Sequence, residues 1–304
     1  MVWRSVVISK PAKLRREQFA LVIEQEQSAR VPFEDIAVIV LNHREISLTH
    51  SVLSACGEYG IGLFATGDNH QPNGVFLPFL QHSRTTRMQR FQLNIDKPLA
   101  KRTWAAIVRA KISNQAECLR LIGRSNDERL KAFVERVRSG DTDNIEARAS
   151  GYYFPELFGR GFQRDQERWS NAAMNYGYAV LRGAIARGLV AHGFLPSIGL
   201  FHRSEQNAFN LADDVIEPFR PLIDLHVVKQ LGPDSDVGFG LKPSDKVALV
   251  GLLNVDVEMP RGVTSVLSAI EQSIESLVRV FESSTEQPLE LPRLIGLEKH
   301  VVEG

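Results

Sequence analysis

Cysteine is almost missing from the 304-residue chain: Cys56 and Cys118 stand apart, with no CxxC and no Cys/His cluster. That argues against a disulfide framework and against a structural zinc site, and leaves each thiol as a small buried hydrophobe. Long apolar runs are missing too; none approaches the roughly 18 residues needed to span a bilayer. The opening MVWRSVVISK lacks the charged head and longer apolar stretch of a signal peptide. A cytoplasmic protein with no membrane partner is expected. No credible Ser or Cys triad appears, which argues against a covalent protein nucleophile. Net charge is also absent, with 36 Lys/Arg against 36 Asp/Glu.

The zero average hides an asymmetry. Residues 84–138 carry 14 Lys/Arg and only 5 Asp/Glu, a local balance of +9. Such a stripe suits a phosphate backbone, with Arg84, Arg87, Arg90, Lys101 and Arg102 as the leading DNA-contact candidates. A solvated helix surface would carry the same charges.

The chain is long enough for two cores, and its pattern changes once. In residues 1–82, VVIS (6–9), FALVIEQ (19–25) and IAVIVL (36–41) read as strands, rich in β-branched residues between polar breaks. One helix is predicted at about 50–58 with Thr49 as N-cap, and Asn73-Gly74 signals a turn before a last strand. From residue 83 to 304 the periodicity is helical. Trp104, Ile107, Val108 and Ile112 form an apolar stripe, Pro98 suits a first helical turn, and further helices are read over 126–141, 144–159 and 167–193, with helical patterns from about 245 to 285. A Gly/Pro/Asp-rich break at 232–245 reads as a loop. The fold class is therefore α+β: a small β-rich domain (1–82) followed by an all-α domain (83–304).

The stretch FHRSEQNAFNLADDVIEPFRP (201–221) sets a histidine, His202, ahead of Asp213, Asp214 and Glu217. Asp214 and Glu217 are three apart, on one face of a predicted helix, and Pro218 breaks that helix directly after them. One imidazole with carboxylates suits Mg²⁺ or Mn²⁺. A loop histidine beside a solvated acidic helix satisfies the same spacing, and spacing alone leaves both open.

Three linked stretches go further. LFHRSEQNAFNLADDVIEPFRP pairs a histidine with an acidic helix ending in Glu-x-Phe-Arg-Pro. NAAMNYGYAVLRGAI forms an Asn-Tyr-Gly-Tyr helix, and GFLPSIGLFH a Gly-x-x-Pro-x-x-Gly approach to the histidine. Together, over essentially the whole chain, they resemble the CRISPR-associated endonuclease/integrase family Cas1 in its type II-like form. The resemblance implies a metal held by Glu146, His202 and Glu217, with Asp214 as a supporting or alternate ligand whose loss should matter less. It implies insertion of short foreign DNA fragments into a CRISPR array by attack of a fragment's 3′-hydroxyl on a repeat phosphodiester. It also implies a homodimer through the β domain, joined with a small second adaptation protein into a heterohexamer. The run IAVIVLNHREISL is too apolar to sit bare on a sheet edge, so something should cover it: a helix of the same chain such as 50–58 could do so, and the resemblance implies that the same domain of a second copy packs nearby. A branched-DNA repair nuclease built on the same residues and a non-catalytic DNA scaffold are the alternatives.

Overall fold

The computed structural model describes residues 4–67, 72–78, 83–124, 127–231, 240–283 and 287–300. The first third is built from β1 (Arg4–Ile8), β2 (Ala12–Glu17), β3 (Ala20–Glu24), β4 (Ala29–Pro32), β5 (Ile36–Leu41), β6 (Ile46–Leu48), α1 (His50–Glu58), β7 (Gly62–Thr66) and β8 (Pro72–Phe76). These strands form two four-stranded sheets, ordered β1-β5-β7-β8 and β4-β3-β2-β6. Sequence pattern does not reveal three of them. Strands β4 and β6 are only four and three residues long, and β2 (AKLRRE) is too charged to stand out as a strand.

Two expectations are corrected here. The apolar run IAVIVL is not a sheet edge: β5 lies inside its sheet, parallel to β1 on one side and to β7 on the other. Both its faces are covered within the same chain. Ile36 and Ile39 pack with Phe33, Val52 and Cys56 under α1, while Val38 and Val40 join the core of the helical part. Its hydrophobicity therefore requires no second copy. Nor does Asn73-Gly74 form a turn; both lie in β8, with Gly74 opposite Ala65 of β7.

The remainder is helical: α2 (Thr85–Leu93), α3 (Lys97–Leu121), α4 (Asp127–Val134), α5 (Ile145–Phe158), α6 (Trp169–Ala191), α7 (Asn210–Val215), α8 (Arg220–Gln230), α9 (Pro243–Gly251) and α10 (Val266–Glu282). One departure from an all-α domain is a two-stranded antiparallel ribbon, β9 (Asp256–Met259) and β10 (Gly262–Ser265). It falls in the region read as continuous helix. Asp96 caps α3 by accepting from the Leu99 amide at 2.7 Å, with Pro98 in the first turn. The predicted stripe is buried: Trp104 is 3% exposed, and Ile107, Val108 and Ile112 are 0%.

The expected boundary at 82/83 touches residues 79–82, which lie outside the described residues, as do 232–239 of the expected loop. Across that boundary the sheet and helices pack closely. A Cβ added at Gly183 of α6 would lie 2.1 Å from the Phe64 ring of β7, so only glycine admits the strand's phenylalanine there. One turn on, Arg187 donates to the Gly60 carbonyl at 2.6 Å and pairs with Glu271 of α10 at 2.6 Å. A buried arginine thus ties the turn before β7 to α6 and α10.

Candidate active site

Glu146, His202 and Glu217 come from three separate elements and line one cavity of about 300 Å³, together with Lys111, Arg220 and Trp104. Glu146 sits in the first turn of α5. Asp141 (φ 48°) accepts from the Ile145 and Glu146 amides at 2.9 and 3.0 Å, closing that helix N-terminus and aiming the next side chain. Glu217 opens the short 3₁₀ turn Glu217–Phe219 between α7 and α8. Pro218 interrupts the helix as expected, and the break turns Glu217 inward, 5% exposed.

His202 is held from behind. Asp214 is wholly buried, and its carboxylate accepts from the amides of Leu200 (2.6 Å), Phe201 (3.1 Å) and His202 (3.1 Å) and from the His202 imidazole Nδ1 at 2.7 Å. The structure thus places Asp214 behind the histidine, with both oxygens committed to the loop. With Nδ1–H given to Asp214, Nε2 is the ring nitrogen left for the cavity. The same hydrogen bond raises the His202 pKa, against the lowering effect of burial.

The Gly-x-x-Pro-x-x-Gly approach now has a physical reason. Gly193 takes φ 83° just after α6, and the Pro196 carbonyl accepts from the Leu211 amide at 2.7 Å. A Cβ on Gly199 would lie 2.4 Å from the His202 carbonyl oxygen and 2.8 Å from Asp214 Oδ2. Asn210, 4% exposed, donates to the Ser197 and Ser204 carbonyls at 2.9 Å and knots the same loop.

Several site residues are not evident from sequence. Lys111 falls within the basic stripe, yet its side chain is buried and its ammonium pairs with Glu146 and with Glu217 Oε2, the latter at 2.5 Å. Arg220 pairs with Glu217 Oε1 at 3.1 Å. Burial pushes the Glu217 carboxyl up, but Lys111 and Arg220 outweigh it and hold the group below its ordinary value. Although Glu217 Oε2 lies in ion-pair range of Lys111, it is buried without an aligned hydrogen bond. A signal for Lys111 does exist. Residues 104, 107, 108, 111, 112 and 115 share one helical face, and a lysine amid that apolar stripe needs partners. Among the described residues no group of three or more His, Cys, Asp or Glu side chains is arranged so that it could hold a metal ion.

Asn171 and Asn175, four apart on α6, both accept from Arg164 at 2.9 Å. They hold its guanidinium over the Tyr178 ring, 5.6 Å from the centroid, while Arg220 lies 4.8 Å from that centroid. Behind them Asp224, 2% exposed, accepts from the Tyr178 hydroxyl and from Tyr153 at 3.1 Å.

Burial pushes Asp224 from 3.8 up to about 6, against its tyrosine donors. A raised carboxyl favours the fold while protonated. Stability should be greatest below about pH 4 as far as this group is concerned, and be lost between about pH 4 and 6, by ~3 kcal/mol. Asp224→Asn should flatten the stability–pH curve in that window, measured by urea unfolding at each pH. An unchanged slope would assign it to other groups.

The basic stripe is not one continuous face. Arg109 donates to the Val137 carbonyl, Lys131 pairs with Glu128 at 2.7 Å, Arg138 with Asp143 at 3.8 Å and Arg87 with Glu282 at 3.7 Å. Arg84, Arg87 and Arg90 line one groove with Phe91; Arg102 lines another with Arg109. Lys101, with Lys97 and Arg203, borders a groove beside Phe201, adjacent to His202.

A family model described as "CRISPR associated protein Cas1" matches residues 6–233. The chain is 42% identical over 307 residues to the CRISPR-associated endonuclease Cas1 of Neisseria meningitidis serogroup C, covering 100% of both. Its fold is similar to that of a casposase bound to integration product, with TM-score 0.75 at 16% identity over 94% of this chain and 92% of that one. It is also similar to a chain of a Cas6-RT-Cas1–Cas2 complex, with TM-score 0.70 at 16% identity over 92% of this chain and 35% of that one. No helix among the described residues is long and apolar enough to cross a membrane.

Proposed function

This chain belongs to the Cas1 family of CRISPR-associated endonucleases, and from that premise we propose that it is a divalent-metal-dependent DNA integrase. It inserts short foreign DNA fragments into a CRISPR array by transesterification, a fragment 3′-hydroxyl attacking a repeat phosphodiester. One observation carries the reading: Glu146, His202 and Glu217, 71 positions apart from first to last, converge on one cavity.

By type the donors suit Mg²⁺ or Mn²⁺, although in this arrangement the Lys111 ammonium, not a metal-holding group, stands between the two carboxylates. Two carboxylates and one imidazole are the hard, oxygen-rich set these ions take. The ammonium drawn between the two carboxylates marks a place for positive charge. Glu146, Glu217 and Nε2 of His202 would hold the ion, which when bound supplies charge stabilisation on the phosphoryl and leaving oxygens. The chain's own residues do the rest. Asp214 fixes the imidazole and its tautomer, and Arg220 and Arg164, both lining the cavity, present guanidinium groups to phosphate oxygens. No protein nucleophile is required.

The DNA partner is supported by the casposase fold likeness, and a Cas2-type partner by the likeness to a Cas1–Cas2 complex chain. A homodimer and a heterohexamer with that partner remain part of the proposal on family grounds, since β5 no longer argues for a dimer. The deciding experiment is an integration assay on a plasmid carrying the cognate repeat, with and without divalent metal. Cleavage without joining would favour the repair-nuclease alternative.

The stripe makes a separate prediction. Among the described residues Arg90, Lys97 and Lys101 have no carboxylate within ion-pair distance. Replacing Arg90, Lys101 and Arg102 by Gln should weaken DNA binding and reduce the salt slope by about one for each phosphate no longer neutralised. Metal affinity should not change. An unaltered slope would mean that these cations face solvent or a protein.

A further inference from the structure

We propose that Lys111 is a resident cation of the site, competing with the divalent ion for the same two carboxylates and moving aside when the ion enters. The inference rests on the metal-dependent reading above.

The observation is geometric. Lys111 projects from the buried face of α3 and pairs at once with Glu146 on α5 and with Glu217 at the Pro218 break. Those are two of the three donors assigned to the metal. Without a cation between them, two carboxylates facing one largely enclosed cavity would repel. Lys111 therefore neutralises the pair and holds its spacing in the metal-free protein. One ammonium serves two carboxylates, and Arg220, 3.1 Å from Glu217 Oε1, supplies the second positive charge.

Lysine suits this role better than arginine would. Its ammonium is a point charge on a flexible stem, free to leave without breaking a rigid bidentate fork. A place for it exists. Gln115 lies one turn along the same face of α3, lines the same cavity, and its Oε1 is buried with no partner. Lys111 displaced from the carboxylates has that acceptor, and the phosphate of bound DNA, within the same chamber. The site would thus carry a cation in both states, and metal affinity would be set by the difference between the two occupants.

The test measures Mn²⁺ binding directly, by electron paramagnetic resonance of the free ion, for the wild-type chain and Lys111→Met. The expected result is binding about tenfold tighter or more in the variant, with a larger rise in Tm on adding Mn²⁺. Structures of the wild-type chain in EDTA and in Mn²⁺ should show Nζ between the carboxylates in the first and withdrawn from them in the second. Equal or weaker binding by a folded Lys111→Met, or Nζ still on both carboxylates beside a bound ion, overturns the inference while the metal-dependent reading stands. Binding by neither protein overturns both. Should Lys111→Met fail to fold, the two wild-type structures decide the question alone.

Discussion

Glu146→Gln should abolish strand transfer while leaving the melting temperature close to that of the parent chain. Glu146 is the most accessible of the two carboxylate donors, its side chain 26% exposed, and Gln keeps its size. The loss should be about 10³-fold or more, the scale on which fixed charge stabilisation of a transition state disappears. His202→Ala should do the same, since it removes the imidazole and little core volume. Glu217→Gln should be as inactive but also less stable. Its carboxylate is 7% exposed, and both Lys111 and Arg220 depend on it. Stranding buried cations costs about 3–5 kcal/mol when no partner is left; Lys111 keeps Glu146, so the cost should fall toward or below the lower end. Integration assays paired with urea unfolding separate the two effects. A Glu146→Gln chain that still joined fragments at the parental rate would remove the metal centre from the mechanism.

His202 and Glu217 sit in local patterns that are visible without a structure, whereas Glu146 is picked out only by the family resemblance. His202 follows a Gly-x-x-Pro-x-x-Gly approach whose glycines are demanded by backbone geometry, and Glu217 is marked by the proline that follows it. What stays hidden is long-range pairing. Nothing local tells that Lys111 meets a glutamate 35 positions away and another 106 away, or that Asn171 and Asn175 exist to hold Arg164. The sheet shows the same limit. The β5 segment reads correctly as a strand from its β-branched run, but its place inside the sheet depends on β1 and β7 arriving from both directions in sequence. The ribbon β9–β10 is invisible because four-residue strands carry too few alternations to compete with the helical patterns on either side.

Asp214→Ala is expected from sequence to cost less strand transfer than the loss of a ligand, but the burial of Asp214 predicts a large cost in stability. Alanine at this position removes one wholly buried carboxylate and leaves three backbone N–H groups, of Leu200, Phe201 and His202, without their acceptor. Each buried donor left unmade costs about 1–3 kcal/mol, and water reaching the partly exposed His202 would offset some of it. A net loss of roughly 3–5 kcal/mol is expected, well beyond an ordinary surface change. The His202 ring loses its Nδ1 acceptor at the same time, so Nε2 is no longer held toward the cavity. Strand transfer should fall with stability even though no proposed ligand has been touched. Asp214→Asn separates the two consequences: one amide oxygen still accepts from some of the loop's N–H groups, but the charge that orients the imidazole is gone. Its stability should recover in part, while ¹⁵N shifts of His202 should show both neutral tautomers in place of one. If Asp214→Ala instead unfolded at the parental urea midpoint, the loop would be held by Asn210 and the glycine turns alone, and Asp214 would be free to serve as the alternate ligand that its spacing first suggested.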